Sequence, residues 1–273
     1  SHLNYICMLS LHQLGAIYVP IDIKYPQERI EYILQDLDAK FLITQGQHYP
    51  DIIIENRIEL DAMDSMLSKY STELHIESQN HTDCYAIYTS GTTGNPKGVS
   101  ISHKNICQYI ASASQVYNIQ PNDSIYQGFS LSFDASMEEV WMAFAHGASL
   151  VVCTSDDIRA GVGLKEFLNQ HQITVLSTVP SLLAILENDI PSLRLIILGG
   201  ETCHLQQVQS WFSPQRRIIN SYGPTEATVV STYAELHPEH DITIGSPLPG
   251  YEIFIINENL EILPHGEVGE LCI

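Results

Sequence analysis

"ITVLSTVPSLLAILENDIPSLRLIILGG", Ile173 to Gly200, holds two β-rich runs, 173–179 and 193–200, around a helix candidate at 180–188. The same alternation extends in both directions. "AIYVPI" (16–21), "AKFLIT" (39–44), "CYAIYT" (84–89), "ASLVVC" (148–153) and "RRIINSYG" (216–223) read as strands. Helix candidates lie near 3–15, 27–38, 102–117, 136–146, 164–171 and 204–212. Such alternation predicts an α/β fold, a layered α/β/α arrangement of largely parallel sheets, because parallel sheets need helices on their faces. Ligands in such folds collect at the carboxyl ends of the strands. The tail from Tyr251 changes to short strands joined by Asn-Glu-Asn and Pro-His-Gly turns, a β-rich region. The more polar stretch from Gly46 to Asp83 reads as a connection, and the expected subdivision is 1–83, 84–245 and 246–273. Ending inside the apolar run "GELCI", the chain reads as a fragment of something longer.

Composition narrows the classes. At 273 residues and 44% hydrophobic the chain can bury a sizeable core. No run of 18 apolar residues occurs and the opening lacks a basic n-region, so neither a membrane span nor a signal peptide is expected. A net charge of −20 argues against nucleic acid or an anionic membrane as partner. The six scattered cysteines form no CxxC pair and read as reduced thiols of a cytoplasmic protein. Twelve histidines without HxxxH or HExxH spacing give no metal site.

"AIYTSGTTGNPKGVS", Ala86 to Ser100, sets the hydroxyls of Thr89, Ser90, Thr92 and Thr93, three glycines and Lys97 behind an apolar run. Amides freed by glycine, hydroxyls in series and one cation suit a polyphosphate. A Walker loop is excluded: counted from Gly91, Pro96 stands where the second glycine belongs and Gly98 where Ser or Thr should follow Lys97. The loop follows a strand and precedes a helix expected near Ser102, an arrangement in which loop amides converge on an anion.

"YTSGTTGNPKGV" resembles the phosphate-binding signature of the adenylate-forming (AMP-binding) superfamily, which includes acyl-CoA ligases, firefly luciferase and the adenylation domains of nonribosomal peptide synthetases. Further stretches follow in that family's order: "LHQLGAIYVPIDIKYPQERIEYILQD", "SFDASMEEVW", "LRLIILGGETC", "NSYGPTEATV" and "GEVGELCI". The resemblance covers nearly the whole chain and implies the large N-terminal core of an adenylate-forming enzyme. It also implies that the family's ribose-gripping aspartate and the lysine of its small C-terminal subdomain lie beyond Ile273, leaving turnover by the fragment impaired.

Carried over residue by residue, the resemblance implies an ATP and Mg2+ site. Thr89, Ser90, Thr92, Thr93 and Lys97, on a backbone freed by Gly91 and Gly94, hold the phosphates, and Glu226 ligates the metal; Thr89, Lys97 and Glu226 are the catalytic candidates. Gly200 and Glu201 let the nucleotide approach, Tyr222 stacks on adenine beside Asn220 and Ser221, and Thr225 follows Gly223 toward the α-phosphate. The substrate pocket is expected from Phe133, Asp134, Ala135, Glu138, Ser177, Ile197, Gly199, Ser221, Val229 and Val230.

Asp134 separates two branches. In peptide-synthetase domains this aspartate pairs with an amino acid's α-ammonium, whereas acyl- or aryl-CoA ligases need no such group; a plain helix N-cap is the structural alternative. Glu138 alone adds charge to a small apolar cavity, and an unpaired buried carboxylate costs several kcal/mol, so a cationic ligand is its natural partner unless Glu138 or Glu139 faces solvent. The expected substrate is therefore a basic amino acid, lysine or a lysine-like diamino acid. It would be loaded afterwards onto the phosphopantetheine of a peptidyl carrier protein. A nucleotide-binding remnant without turnover remains the reading from another class.

Overall fold

The computed structural model describes residues 2–46, 52–62, 82–90, 95–186 and 190–273. They fall into two units, Ser1–His103 and Lys104–Ile273.

The first unit contains helices α1 (Leu3–Gln13) and α2 (Gln27–Asp36), a parallel pair β1 (Phe41–Thr44) and β2 (Asn56–Glu59), and an antiparallel pair β3 (Asp83–Ser90) and β4 (Pro96–Ser102). "AIYVPI" forms no strand; Tyr18 makes a single bridge to Tyr85. Pro20, two residues on, has no N–H with which to extend a ladder. The helix expected near Ser102 begins at His103, but the strand β4, which the sequence reading did not include, lies between the glycine-rich segment and that helix. Val99 and Ile101 are buried while Gly98 and Ser100 are exposed, the period-two pattern of a strand. A helix N-terminus therefore does not follow the glycine-rich segment directly.

The second unit is built on a seven-stranded sheet in the order β11-β10-β9-β8-β7-β5-β6. Strands β5 (Ser124–Gln127), β6 (Ser149–Val152), β7 (Val175–Thr178), β8 (Leu195–Leu198) and β9 (Arg217–Tyr222) run parallel. β10 (Thr232–Glu235) and β11 (Ser246–Pro247) extend one edge antiparallel. From β5 the chain moves outward to β6, then returns to β7 on the other side of β5. In parallel sheets, a reversal of this kind is where ligands bind, outside the carboxyl ends of the two strands, here β5 and β7. The short tail strands β12 (Phe254–Ile256) and β13 (Glu270–Cys272) pair antiparallel, as the turn-rich ending predicts.

Helices cover both faces. Leu176, Ile196, Leu198 and Ile218 pack in one core with Leu164 and Leu168 of α6 (Leu164–Gln170), Leu183 of α7 (Pro180–Ile185) and Trp211 of α8 (Leu205–Trp211). Pro180 starts α7, where its missing N–H costs nothing. In α8 the His204 and Gln207 side chains form a reciprocal capping box. Arg216 closes the bottom of this core, donating to the carbonyls of Ile190 (2.8 Å), Leu193 (3.0 Å) and Trp211 (3.0 Å). On the opposite face lie α3 (His103–Tyr117) and α4 (Ala135–His146), the latter ended by Gly147 at φ 66°, which only glycine adopts without strain. A short helix, α5 (Asp156–Arg159), follows β6. Among the described residues no helix is long and apolar enough to cross a membrane, and all six cysteines are free thiols.

Asp123 gathers the amino ends of three neighbouring strands. Its carboxylate accepts from Arg194 Nε (2.8 Å) and Nη2, Thr174 Oγ1 (2.7 Å) and the Gln120 amide (2.7 Å). Burial by itself raises its pKa, but the Arg194 hydrogen bond and those from Gln120 and Thr174 outweigh it, and the net shift is downward. A lowered carboxyl pKa contributes stability that is present above the ordinary range near 3.9 and is lost as pH falls through the lower folded value. Asp123→Asn should therefore cost about 2–4 kcal/mol at pH 7 by leaving Arg194 without its charge partner, and the deficit should shrink below pH 4. Denaturant unfolding at both pH values checks this.

Candidate active site

The parallel pairing places most of the expected ligand residues of the second unit near one another. Ser177 of β7 lies opposite Ile197 of β8, Ile197 opposite Ile219 of β9, and Leu198 opposite Asn220. Gly199 and Gly200 follow the end of β8, and Ser221 and Tyr222 complete β9. Ser221 Oγ donates to the Leu198 carbonyl (3.0 Å), and a Cβ on Gly199 would stand 2.7 Å from that hydroxyl. The close approach explains the glycine. Tyr222, 42% exposed, presents its ring at the carboxyl edge. Phe133 is exposed in the loop entering α4, and Ala135 is the first residue of that helix.

Some of these side chains already have protein partners. The Asn220 amide donates to the Thr243 carbonyl (2.8 Å). The Glu201 carboxylate accepts from Ser181 N and Oγ, both at 3.0 Å, and so fixes the start of α7.

Asp134 occupies the N-cap position of α4 but makes no capping hydrogen bond. Its Oδ2 is buried and has no partner. Burial pushes its pKa up, opposed by the Thr225 hydroxyl and by the amides of Ala135 and Asp134, while the nearby Glu226 charge adds to the rise. Thr225 and Glu226 sit in a single 3-10 turn, Thr225–Ala227, immediately after Gly223 and Pro224. Glu226 is exposed at the edge of a cleft of about 770 Å3, lined also by Asn105, Gln108, Thr228, Tyr251 and Phe254.

Glu138, one turn along α4, is 3% exposed, and Glu139 is 1% exposed, so neither faces solvent. The expectation of an unpaired Glu138 in an apolar cavity is corrected: three hydroxyls surround it. Tyr109 and Tyr117 of α3 donate to Oε2, the latter at 2.9 Å, and Ser177 donates to Oε1 at 2.9 Å. Burial raises the Glu138 pKa, the three hydroxyls oppose the rise without cancelling it, and the nearby Asp134 charge adds to it, so the net shift is upward. Burial first, and then the Glu138 charge, push both phenols well above their usual range, so they remain protonated donors. None of the three donors carries charge. Glu139 is committed elsewhere, accepting from Gln127 Nε2 (3.0 Å) and the Gly128 amide (3.0 Å) at the end of β5, while Arg159 reaches Gln127 Oε1 (3.1 Å).

The sequence singled out Glu138 but neither tyrosine. Their only signal was two aromatic residues eight apart within an expected helix, which is ordinary for a core face.

Val229 and Val230 are both buried, and Val229 has φ 69°. The Val230 amide bonds back to Thr228 O at 2.9 Å, closing a tight turn that a β-branched residue adopts only under strain. Gly223 packs against it, and a Cβ there would lie 2.7 Å from both Val229 O and Val230 Cα.

In the first unit, Thr89 and Lys97 face each other across β3 and β4, and Ser90 faces Pro96. Thr89 Oγ1 approaches the Lys97 carbonyl at 3.5 Å, and Lys97 is exposed. Gly91, Thr92, Thr93 and Gly94 lie outside the described residues.

A mostly parallel sheet covered by helices, with polar side chains following its strand ends and Asp134 Oδ2 buried without a partner, defines a layered α/β domain. The model of the AMP-binding enzyme family matches residues 2–273, and the chain belongs to that family. It is 40% identical over 261 residues to Delta-poly-L-ornithine synthetase of Acinetobacter baumannii (strain AB307-0294), covering 95% of this chain and 19% of that protein. To Gramicidin S synthase 1 of Brevibacillus brevis it is 38% identical over 277 residues, covering 98% of this chain and 25% of that protein. The chain thus spans a quarter or less of these relatives' length. Two solved structures share the fold at 23% identity. They are the Vibrio cholerae adenylation domain AlmE in complex with glycyl-adenosine-5'-phosphate (TM-score 0.83, 98% of this chain and 58% of that one) and the Klebsiella oxytoca NpsA N-terminal subdomain in complex with 3-hydroxybenzoyl-AMSN (TM-score 0.81, 98% and 70%).

Gly223→Ala should destabilise the second unit by about 2–4 kcal/mol, because the new methyl must displace backbone at Val229 and Val230. Gly200→Ala adds only the penalty of its positive φ, about 1 kcal/mol, since the nearest atom to its Cβ is Val179 Cγ1 at 3.8 Å. Thermal unfolding of the two variants should rank them in that order.

Proposed function

We propose that the chain activates an amino acid, condensing its carboxylate with ATP to give an aminoacyl-adenylate and pyrophosphate, and that the acyl group then passes to the phosphopantetheine thiol of a carrier protein. The observation that carries this reading is Asp134 Oδ2, buried and without a partner. An orphaned carboxylate oxygen invites a cationic hydrogen-bond donor, and the α-ammonium of an amino acid supplies one. A fatty or aryl acid would leave it unsatisfied, which weighs against a CoA ligase.

Thr89, Ser90 and Lys97, with Gly91, Thr92, Thr93 and Gly94, are assigned to the phosphates, where donors and a cation neutralise the approaching anions. Gly200, Glu201, Asn220, Ser221, Tyr222, Gly223 and Thr225 are assigned to the nucleotide. Among the described residues no three metal-ligating side chains cluster. One exposed carboxylate, Glu226, fits Mg2+, which keeps several waters and takes its other ligands from substrate phosphates. Bound there, the ion would polarise phosphoryl oxygens. The pocket is assigned to Phe133, Asp134, Ala135, Glu138, Ser177, Ile197, Gly199, Ser221, Val229 and Val230.

A basic substrate, lysine or a lysine-like diamino acid, follows from Glu138. The two carboxylates stand one helical turn apart, about 5–6 Å between Cβ atoms, a spacing that two amines on one short chain can bridge. Ornithine, for which the relative at 40% identity is named, belongs to the same chemical class.

Amino-acid-dependent exchange of pyrophosphate into ATP by the intact protein tests the reading. Exchange should be strongest with lysine or ornithine. Asp134→Ala should lower kcat/KM roughly 10- to 150-fold through loss of one charge-assisted hydrogen bond, and Glu138→Gln should abolish the preference for basic side chains. Consumption of CoA with an aryl or fatty acid, unaffected by Asp134→Ala, would overturn it.

A further inference from the structure

Two of the three residues that hold the carboxylate selecting the substrate in the reading above, Tyr109 and Tyr117, lie outside the expected pocket set. Tyr109 and Tyr117 stand eight residues apart on α3, both fully buried, and their hydroxyls converge on the same oxygen, Oε2 of Glu138. Ser177, from the central strand β7, takes the other oxygen. A carboxylate offers about four lone-pair positions. Three are filled by neutral donors, and the open one lies on Oε1, the oxygen shared with Ser177. Asp134, whose own Oδ2 lacks a partner, sits one turn back on the same helix and is close enough for its charge to act on Glu138.

We infer that Tyr109 and Tyr117 are specificity-determining positioning residues: by clamping Oε2 they hold the Glu138 carboxyl group as a preoriented receptor that presents Oε1 to the distal ammonium of a diamino acid. The inference rests on the proposed amino-acid-activating function and adds two residues of α3 to it. A carboxylate without the clamp could rotate about its terminal torsion and turn either oxygen toward the hydroxyl side. The pair therefore acts before the ligand arrives, fixing in advance a geometry that the ligand would otherwise have to impose. Aromatic side chains suit the task, since each hydroxyl is carried on a rigid ring with only two rotatable bonds.

Tyr109→Phe, Tyr117→Phe and Glu138→Gln in the intact protein test this, with pyrophosphate exchange driven by lysine and by norleucine, which has the same carbon skeleton without the distal amine. Each phenylalanine variant removes one hydroxyl and keeps the ring. The expected result is a fall of about tenfold or more in the lysine-to-norleucine ratio of kcat/KM, carried by the KM for lysine, with the KM for ATP unchanged. A purely structural role would instead lower exchange with both amino acids together and leave the ratio alone, and that outcome overturns the inference even where the melting temperature drops. If one variant does not fold, the other decides by the same ratio. A preference lost in Glu138→Gln but retained in both tyrosine variants removes this inference alone. Absence of any preference for diamino acids in the unmodified protein removes the functional reading and this inference with it.

Discussion

Parallel pairing in the central sheet is the constraint on which the rest of the second unit depends. Because β9, β8, β7, β5 and β6 all run the same way, whatever follows each strand emerges on one edge. Glycines after β8, Ser221 and Tyr222 at the end of β9 and the loop entering α4 after β5 meet there without any one segment being long. The opposite edge is spent on stability. Asp123 and Arg194 tie strand beginnings together, and Arg216 satisfies three carbonyls beneath the core. Strength and chemistry are therefore segregated along the strand direction, as expected for sheets whose ligands sit beyond carboxyl ends.

Much of this was legible in the amino acids. The runs around Val175, Leu195 and Arg217 declared themselves because each is apolar, bounded by turn residues and long enough to stand out from its flanking helices. β5 was not read, since "SIYQ" is four residues long with polar ends and gives no period to detect. β4 was hidden for a different reason. Its first residues, Pro96, Lys97 and Gly98, look like loop, and the strand pattern rests on Val99 and Ile101 alone. "AIYVPI" erred in the other direction, carrying strand composition but a proline that stops the ladder.

The candidate site divides the same way. Asp134 and Glu138 were singled out through the family motif that "SFDASMEEVW" resembles, Glu138 as the added charge in an otherwise small, apolar set. What they do could not be read locally. Asp134 resembles a cap and caps nothing, and the partners of Glu138 come from a helix some twenty to thirty residues earlier and a strand about forty residues later. Such contacts are decided by how helices settle on a sheet, which no short window contains. Lys97 and Thr89 illustrate a middle case, where the motif is plain but their mutual placement across two strands required the register.

Consecutive glutamates on α4 are anchored in different directions, Glu138 to α3 and β7, Glu139 to the turn after β5. A helix pinned on two sides of its axis by neighbouring residues cannot roll, because relieving one anchor tears the other. α4 is thus held at one roll angle, and in the proposed function it would serve as a fixed wall of the substrate pocket, with little give toward molecules of another length. In that function, broadening the range of substrates would mean loosening Glu139 as well as reshaping the lining.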